Sequence, residues 1–301
     1  MTVSPLSACL AIVFVAATLS ACEGGETRPP VVEVTAMDYA FGAPESIASG
    51  WTTLRLDNQG REIHFLTLWR LPEGKTLEDY VGEVLPAFGE AYGALQAGTA
   101  DKAEAGRILG ERLPEWYGSV IGLGGVGFVD PGRVAETIVE LEPGEYVMEC
   151  YVQSPEGRFH GELGMLRPLT VTDDSTGASP PAPDIEITLS NAGIDAPSEV
   201  PAGPRTVAVH YAEHPALGLG NDVHVVRLDE ETDLDAVARW MDWMNLDGGL
   251  RAPAPAEFLG GIHEMPAGRT AYFTVDLAPG RHAWIGETSA ESPRVEEFTV
   301  E

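Results

Sequence analysis

Apolar and polar residues alternate strictly in Thr53-Leu54-Arg55-Leu56 and in Thr137-Ile138-Val139-Glu140-Leu141, and Gly or Pro turns bound each run. That period of two predicts half-buried strands. Between them the period changes. Thr76-Leu77-Glu78-Asp79 reads as a capping box with Asp in place of Glu, and Tyr80, Val81, Val84, Leu85 and Phe88 follow at helical spacing. A second helix is predicted from Lys102 to Leu113. Farther along, Leu234 to Met244 predicts a third, with Val237, Trp240, Met241 and Met244 on one packing face.

The pattern occurs twice. Glu33-Val34-Thr35, Ala43-Pro44 and Gly50-Trp51-Thr52-Thr53-Leu54 align without a gap on Glu186-Ile187-Thr188, Ala196-Pro197 and Gly203-Pro204-Arg205-Thr206-Val207. Gly124-Gly125-Val126, Gly132-Arg133, Val139-Glu140-Leu141 and Pro143-Gly144 align likewise on Gly260-Gly261-Ile262, Gly268-Arg269, Val275-Asp276-Leu277 and Pro279-Gly280. The offset is 153 in the first block and 136 in the second, so the first copy is 17 residues longer between them. A repeat of this kind predicts two tandem domains. They are placed at 31–172, with a helical insertion at 74–120, and at 184–301, joined by a polar, Pro-rich linker at 173–183. Each copy is expected to be a β-sandwich with helices across one end.

The amino-terminal segment asks for a different reading. Ala8 to Ala17 is apolar, the first charged side chain is Glu23, and Leu19-Ser20-Ala21-Cys22 closes the run. About 14 such residues fall short of the roughly 20 that span a bilayer, and they suit a signal peptide. Leu-Ser-Ala-Cys resembles the bacterial lipobox, although no Lys or Arg precedes the run. The resemblance implies a signal peptide at 1–21, lipid on Cys22, a tether at 22–30, and residence on the extracytoplasmic side of a membrane in the cell envelope. The formal charge is -29, with Lys75 and Lys102 the only lysines. Nucleic acid, which demands a basic footprint, is excluded as a partner.

The end of the first copy carries the chemistry. Pro143-Gly144-Glu145-Tyr146-Val147-Met148-Glu149-Cys150, then His160-Gly161-Glu162-Leu163-Gly164-Met165 and Leu169-Thr170-Val171, resembles the closing half of a cupredoxin. Asp57 to His64 resembles the segment that brings that family's first His ligand. The resemblance implies two Greek-key sandwiches and one type 1 copper in the first, held by His64, Cys150, His160 and Met165. It implies a role in electron transfer or copper holding, with a redox protein as partner. Thiolate and imidazole suit both Cu(I) and Cu(II), and a distant thioether favours the reduced state.

One spacing departs from the family. Nine residues separate Cys150 from His160, where blue-copper proteins have two to four. Ser154-Pro155-Glu156-Gly157 is a turn sequence, so the interval can close as a hairpin with His160 opposite Val152 and Cys150 opposite Glu162. Cys150 and His160 then share a sheet face, and a slip of one residue would separate them. Each residue also has a structural reading: Cys150 as a buried strand residue, His64 as a strand-end histidine, Met165 as core.

The second copy lacks the set. Gly286 falls under Cys150, Asn221 under His64 and His224 under Thr67, so His224 is not read as a ligand. His210, Glu213 and His214 read as a solvated loop, and His263 and His282 carry no metal expectation. Gly122 to Gly127 reads as a turn, not a phosphate cradle. With no His-x-His pair and no Gly-x-Ser-x-Gly elbow, the chain is expected not to be an enzyme. The rival to copper is a metal-free binding module of the envelope. Cleavage would remove Cys9 and acylation would occupy Cys22, leaving Cys150 without a disulfide partner.

Overall fold

The computed structural model describes residues 27–213, 221–287 and 294–301. The expected signal segment, the expected lipid site at Cys22 and His214 lie outside the described residues.

The first domain contains β1 (Val31–Met37), β2 (Ala40–Gly42), β3 (Ser46–Asn58), β4 (Thr67–Arg70), β5 (Ile121–Gly122), β6 (Val134–Leu141), β7 (Gly144–Glu149) and β8 (Leu166–Ser175). Strand β3 serves two sheets. Its first residues run parallel to β8, from Gly50 to Asp57 it pairs antiparallel with β6, and from Thr53 to Asn58 it runs parallel to β1. The changeover falls at Gly50, whose φ of 101° no side-chain-bearing residue adopts without strain. One sheet is β2-β1-β3-β6 and the other β3-β8-β7-β4-β5.

The second domain repeats this order strand for strand, with β9 (Ile185–Ser190), β10 (Gly193–Asp195), β11 (Glu199–Val200), β12 (Gly203–Tyr211), β13 (Val223–Leu228), β14 (Glu257–Ile262), β15 (Thr270–Leu277), β16 (Gly280–Gly286) and β17 (Arg294–Val300). Here the β3 equivalent is split. β11 runs parallel to β17, and β12 pairs with β15. The split falls just before Gly203, the residue aligned on Gly50. Thr67 pairs with Glu149 and His224 with Ile285, so the register read from the repeat is the spatial register. The fold is mostly β, as two tandem Greek-key sandwiches.

The insertion of the first domain is helical. Thr76 Oγ1 accepts the Asp79 N–H at 3.3 Å while Asp79 accepts the Thr76 N–H at 2.9 Å, the reciprocal cap expected. The chain continues from α1 (Leu77–Asp79) through a π-helical turn at Tyr80–Val84 into α2 (Leu85–Gln96), and α3 spans Lys102–Arg112. In the second domain α4 covers only Leu234–Trp240. It stops short of Met244 because Asp242 Oδ1 takes the Met244 N–H at 3.0 Å, which competes with the helical ladder. Val237, Trp240 and Met241 are buried in the core as their spacing implies.

Many contacts join the domains, and two of them bring backbone against backbone along the sheets and glycines. β15 pairs antiparallel with β6, so one sheet runs through both domains. The Gly-rich segments of the two copies also meet, with the Gly127 N–H donating to Gly261 O at 3.0 Å. A Cβ on Gly127 would lie 2.7 Å from the backbone of Gly261. These glycines permit backbones to touch across the boundary, which is a different job from the turn expected of them.

Candidate metal centre

His64 is placed by a loop wrapped around one amide. Asn58, fully buried, donates from Nδ2 to Glu62 O at 2.8 Å and Val129 O at 2.7 Å, and its Oδ1 accepts the Gly60 N–H at 2.9 Å. The His64 backbone then bridges Val129 in both directions. Cys150 directly follows β7. The hairpin closes as expected over its first rungs, with Gly157 N–H to Ser154 O and His160 N–H to Val152 O, both at 2.8 Å. It departs from expectation past His160. Residues 161–164 turn on themselves, with the Gly164 N–H donating to Gly161 O at 3.1 Å, so Met165 and not Glu162 lies opposite Cys150. The Cys150 N–H donates to Met165 O at 3.3 Å, and the Met165 N–H to His160 O at 2.8 Å.

Three expected ligands converge. His64 Nδ1 and His160 Nδ1 are 3.2 Å apart, and Cys150 Sγ lies 3.9 Å from the first and 3.5 Å from the second. The point equidistant from these atoms is about 2.1 Å from each, the length of a metal–imidazole bond and close to that of a metal–thiolate bond. All three residues are fully buried, as is Met165, which packs in the same core.

The outer ring nitrogens are held by carboxylates that the sequence reading missed. His64 Nε2 meets Asp38 Oδ1 at 3.0 Å, and His160 Nε2 meets Glu62 Oε2 at 2.9 Å. A ring whose Nε2–H donates to a carboxylate presents an unprotonated Nδ1 inward, the tautomer a metal needs. Without a cation, two such lone pairs at 3.2 Å repel. Burial raises Asp38, but the Arg61 N–H and the His64 ring outweigh it and hold the carboxyl below its usual range. Burial pushes Glu62 up, and Tyr39 donates its OH to Glu62 Oε1 at 3.0 Å while its ring covers His160. Burial, then the proximity of His64, pushes His160 down to about 3, so the ring is neutral at physiological pH. Burial pushes the Cys150 thiol up to about 12, against the backbone N–H groups of Phe65 and Val152 that point at the sulfur.

Other candidates separate. His210 Nδ1 pairs with Thr270 Oγ1 at 2.9 Å, and Glu213 accepts the Asn191 N–H. His282 stacks on Phe298. Asn221, at the position of His64, is held by Arg294 at 3.1 Å. His224 and His263, read as non-ligands, do gather around Asp222. The local signal for this was Asp222-Val223-His224, since residues two apart on extended backbone share a side.

No protein-family model matches the chain, and no curated protein matches it. Similar solved structures include auracyanin B, 22% identical over 49% of this chain and 92% of that one, with a TM-score of 0.29. A reduced auracyanin from Roseiflexus castenholzii is 18% identical over 49% and 99%, at 0.28. Over both domains, a copper-containing nitrite reductase from Thermus scotoductus is 11% identical, covering 91% of this chain and 62% of that one at 0.23. A blue copper oxidase from Nitrosomonas europaea is 13% identical over 91% and 86%, at 0.23. The likeness is one of fold, and the chain's own strand order is that of two tandem β-sandwiches.

The expectation that the chain is not an enzyme does not stand. The solved chains similar across both domains include oxidases and a nitrite reductase, and those names describe those chains alone. That exclusion leaned on missing His-x-His pairs, yet Asp222-Val223-His224 offers two metal-binding side chains at the same spacing.

Proposed function

We propose that the first domain binds one copper ion through His64, Cys150 and His160, with Met165 as a weak fourth donor, and that the protein carries electrons or holds copper. The observation behind this reading is the convergence of one Sγ and two Nδ1 atoms, with each ring anchored by a carboxylate at its far side. When bound, copper supplies a one-electron couple that thiolate and imidazole donors stabilise in both oxidation states. The chain's own part is to hold the donors, exclude water and release the Cys150 proton, since the thiolate is the ligand. Carboxylates on both rings raise the donors' basicity and fix their tautomers. We place this activity in the cell envelope, with lipid on Cys22 as the anchor and a redox protein as the partner.

The mature protein reconstituted with Cu(II) is expected to show intense visible thiolate-to-copper absorption, absent in Cys150→Ser. A colourless protein whose stability copper does not change would refute the reading. For the anchor, fatty-acid labelling is expected in the wild type and not in Cys22→Ala.

A second reading, ligand binding without metal, is favoured by a cavity of about 60 Å³ under the insertion, lined by Trp69, Tyr80, Phe88, Tyr151 and Trp243. Glu149 lies in its wall, held by the Trp69 indole N–H and the Tyr80 OH, each at 2.8 Å. Ligand binding that persists unchanged in EDTA separates this reading from the first.

A further inference from the structure

Asp222, His224 and His263 form a second buried cluster that the copper reading does not use. Asp222 immediately precedes β13 and His224 is the second residue of that strand, so both side chains face one side. His263 follows β14, the strand paired with β13. One donor atom from each residue lies within 4.8 Å of the other two. None is more than 2% exposed.

The hydrogen bonds leave this cluster incomplete. Asp222 Oδ2 meets His224 Nε2 at 2.7 Å, and Asp222 Oδ1 accepts the Glu287 N–H at 2.7 Å. His224 Nδ1 accepts the Phe128 N–H from the first domain at a long 3.3 Å. His263 Nε2, fully buried, has no hydrogen-bond partner among the described residues. A native protein leaves few such nitrogens bare, and a bound ion is one standard explanation. The charge points the same way. Asp222 is a buried carboxylate whose partner His224, accepting at Nδ1, is neutral. Burial pushes the neighbouring Glu287 well up, and the Tyr151 OH holds it. Arg294, which reaches the adjacent Asn221, is engaged there and at Ser190 O. Buried charge is ordinarily paired or bound to metal.

We propose that Asp222, His224 and His263 bind a divalent transition ion in a centre separate from Cys150. Two imidazoles and a carboxylate suit zinc or Cu(II), and without a thiolate the centre is nearly colourless. An ion here replaces the proton between His224 Nε2 and Asp222 Oδ2. That proton moves to Nδ1, and the weak bond from Phe128 is given up. Nothing in this inference rests on copper at Cys150.

Co(II) is the probe, because only a thiolate centre gives it intense charge-transfer absorption. The full mature chain is expected to bind two Co(II), with charge transfer complete at one. His263→Gln and Asp222→Asn are each expected to bind one and keep the charge-transfer band, whereas Cys150→Ser binds one and loses it. His263 Nε2 has no partner among the described residues to lose, so His263→Gln is expected to keep its far-UV circular dichroism. If folded His263→Gln and Asp222→Asn both bind as many ions as the wild type, the proposal is overturned. If no charge transfer ever appears but one ion binds and is lost in His263→Gln, the second centre stands and the first reading fails.

Discussion

Asp38 grips His64 at Nε2, 3.0 Å away, and so leaves Nδ1 as the ring atom turned toward Cys150. The carboxylate comes from the turn after β1 and decides which face of a distant histidine does chemistry. Asp38→Asn keeps an acceptor at that place and removes its charge. Copper affinity is expected to fall by about tenfold with the fold intact, and Asp38→Leu by up to about a hundredfold. Competition against a chelator of known affinity measures both.

Gly60 makes that grip possible. A Cβ there would overlap Asp38 Oδ1 and stand 2.7 Å from His64 Nε2. Gly60→Ala is therefore expected to abolish or strongly weaken metal binding while leaving the circular dichroism unchanged. Metal per chain at saturation is the readout, and wild-type stoichiometry and affinity would argue that the loop yields without moving His64.

At the domain boundary, Gly127→Ala forces a methyl group against the Gly261 backbone. Backbone gives way less readily than a side chain, so a loss of about 1–3 kcal/mol is expected. Urea unfolding should show the midpoint falling at constant slope, and an unchanged midpoint would mean that the boundary has slack.

Burial pushes Asp130 up to about 6, although its Oδ2 accepts the Phe258 N–H at 3.1 Å. The folded state thus holds this proton more tightly than the unfolded chain, where the carboxyl titrates near 4. Its contribution to stability is full below about pH 4 and is lost as pH rises through about 6. Asp130→Asn, which can still accept from Phe258, should gain on the wild type across that window. Melting temperatures of both proteins from pH 4 to 7 test this, and parallel curves would contradict it.

What could be read in the sequence was local or repeated. The capping box at Thr76, the turn at Ser154–Gly157 and the register of β13 against β16 each follow from residues close together or copied from the first domain. The meeting of His64, Cys150 and His160 was legible through the resemblance alone, because no local rule brings His64 to Cys150. Asp38 and Glu62 were missed since their partners lie 26 and 98 residues away. Met165 replaced Glu162 opposite Cys150 because a turn interrupts the hairpin after His160. In the second domain, substitution of Gly286 for Cys150 hid the fact that a different pair of histidines had gathered around Asp222.

The extended backbone beside His64 and Cys150 also forms a partition. His64 faces the first cluster, while the next residue, Phe65, lies with its ring centroid 4.3 Å from that of His263. Cys150 faces the first cluster, while Tyr151 donates its OH to Glu287, whose N–H reaches Asp222. Each buried compartment is thus separated from the other by a wall one residue thick, shared like the wall between adjoining rooms. Repacking on one side of it must be accommodated on the other, so the two domains are constrained to change together.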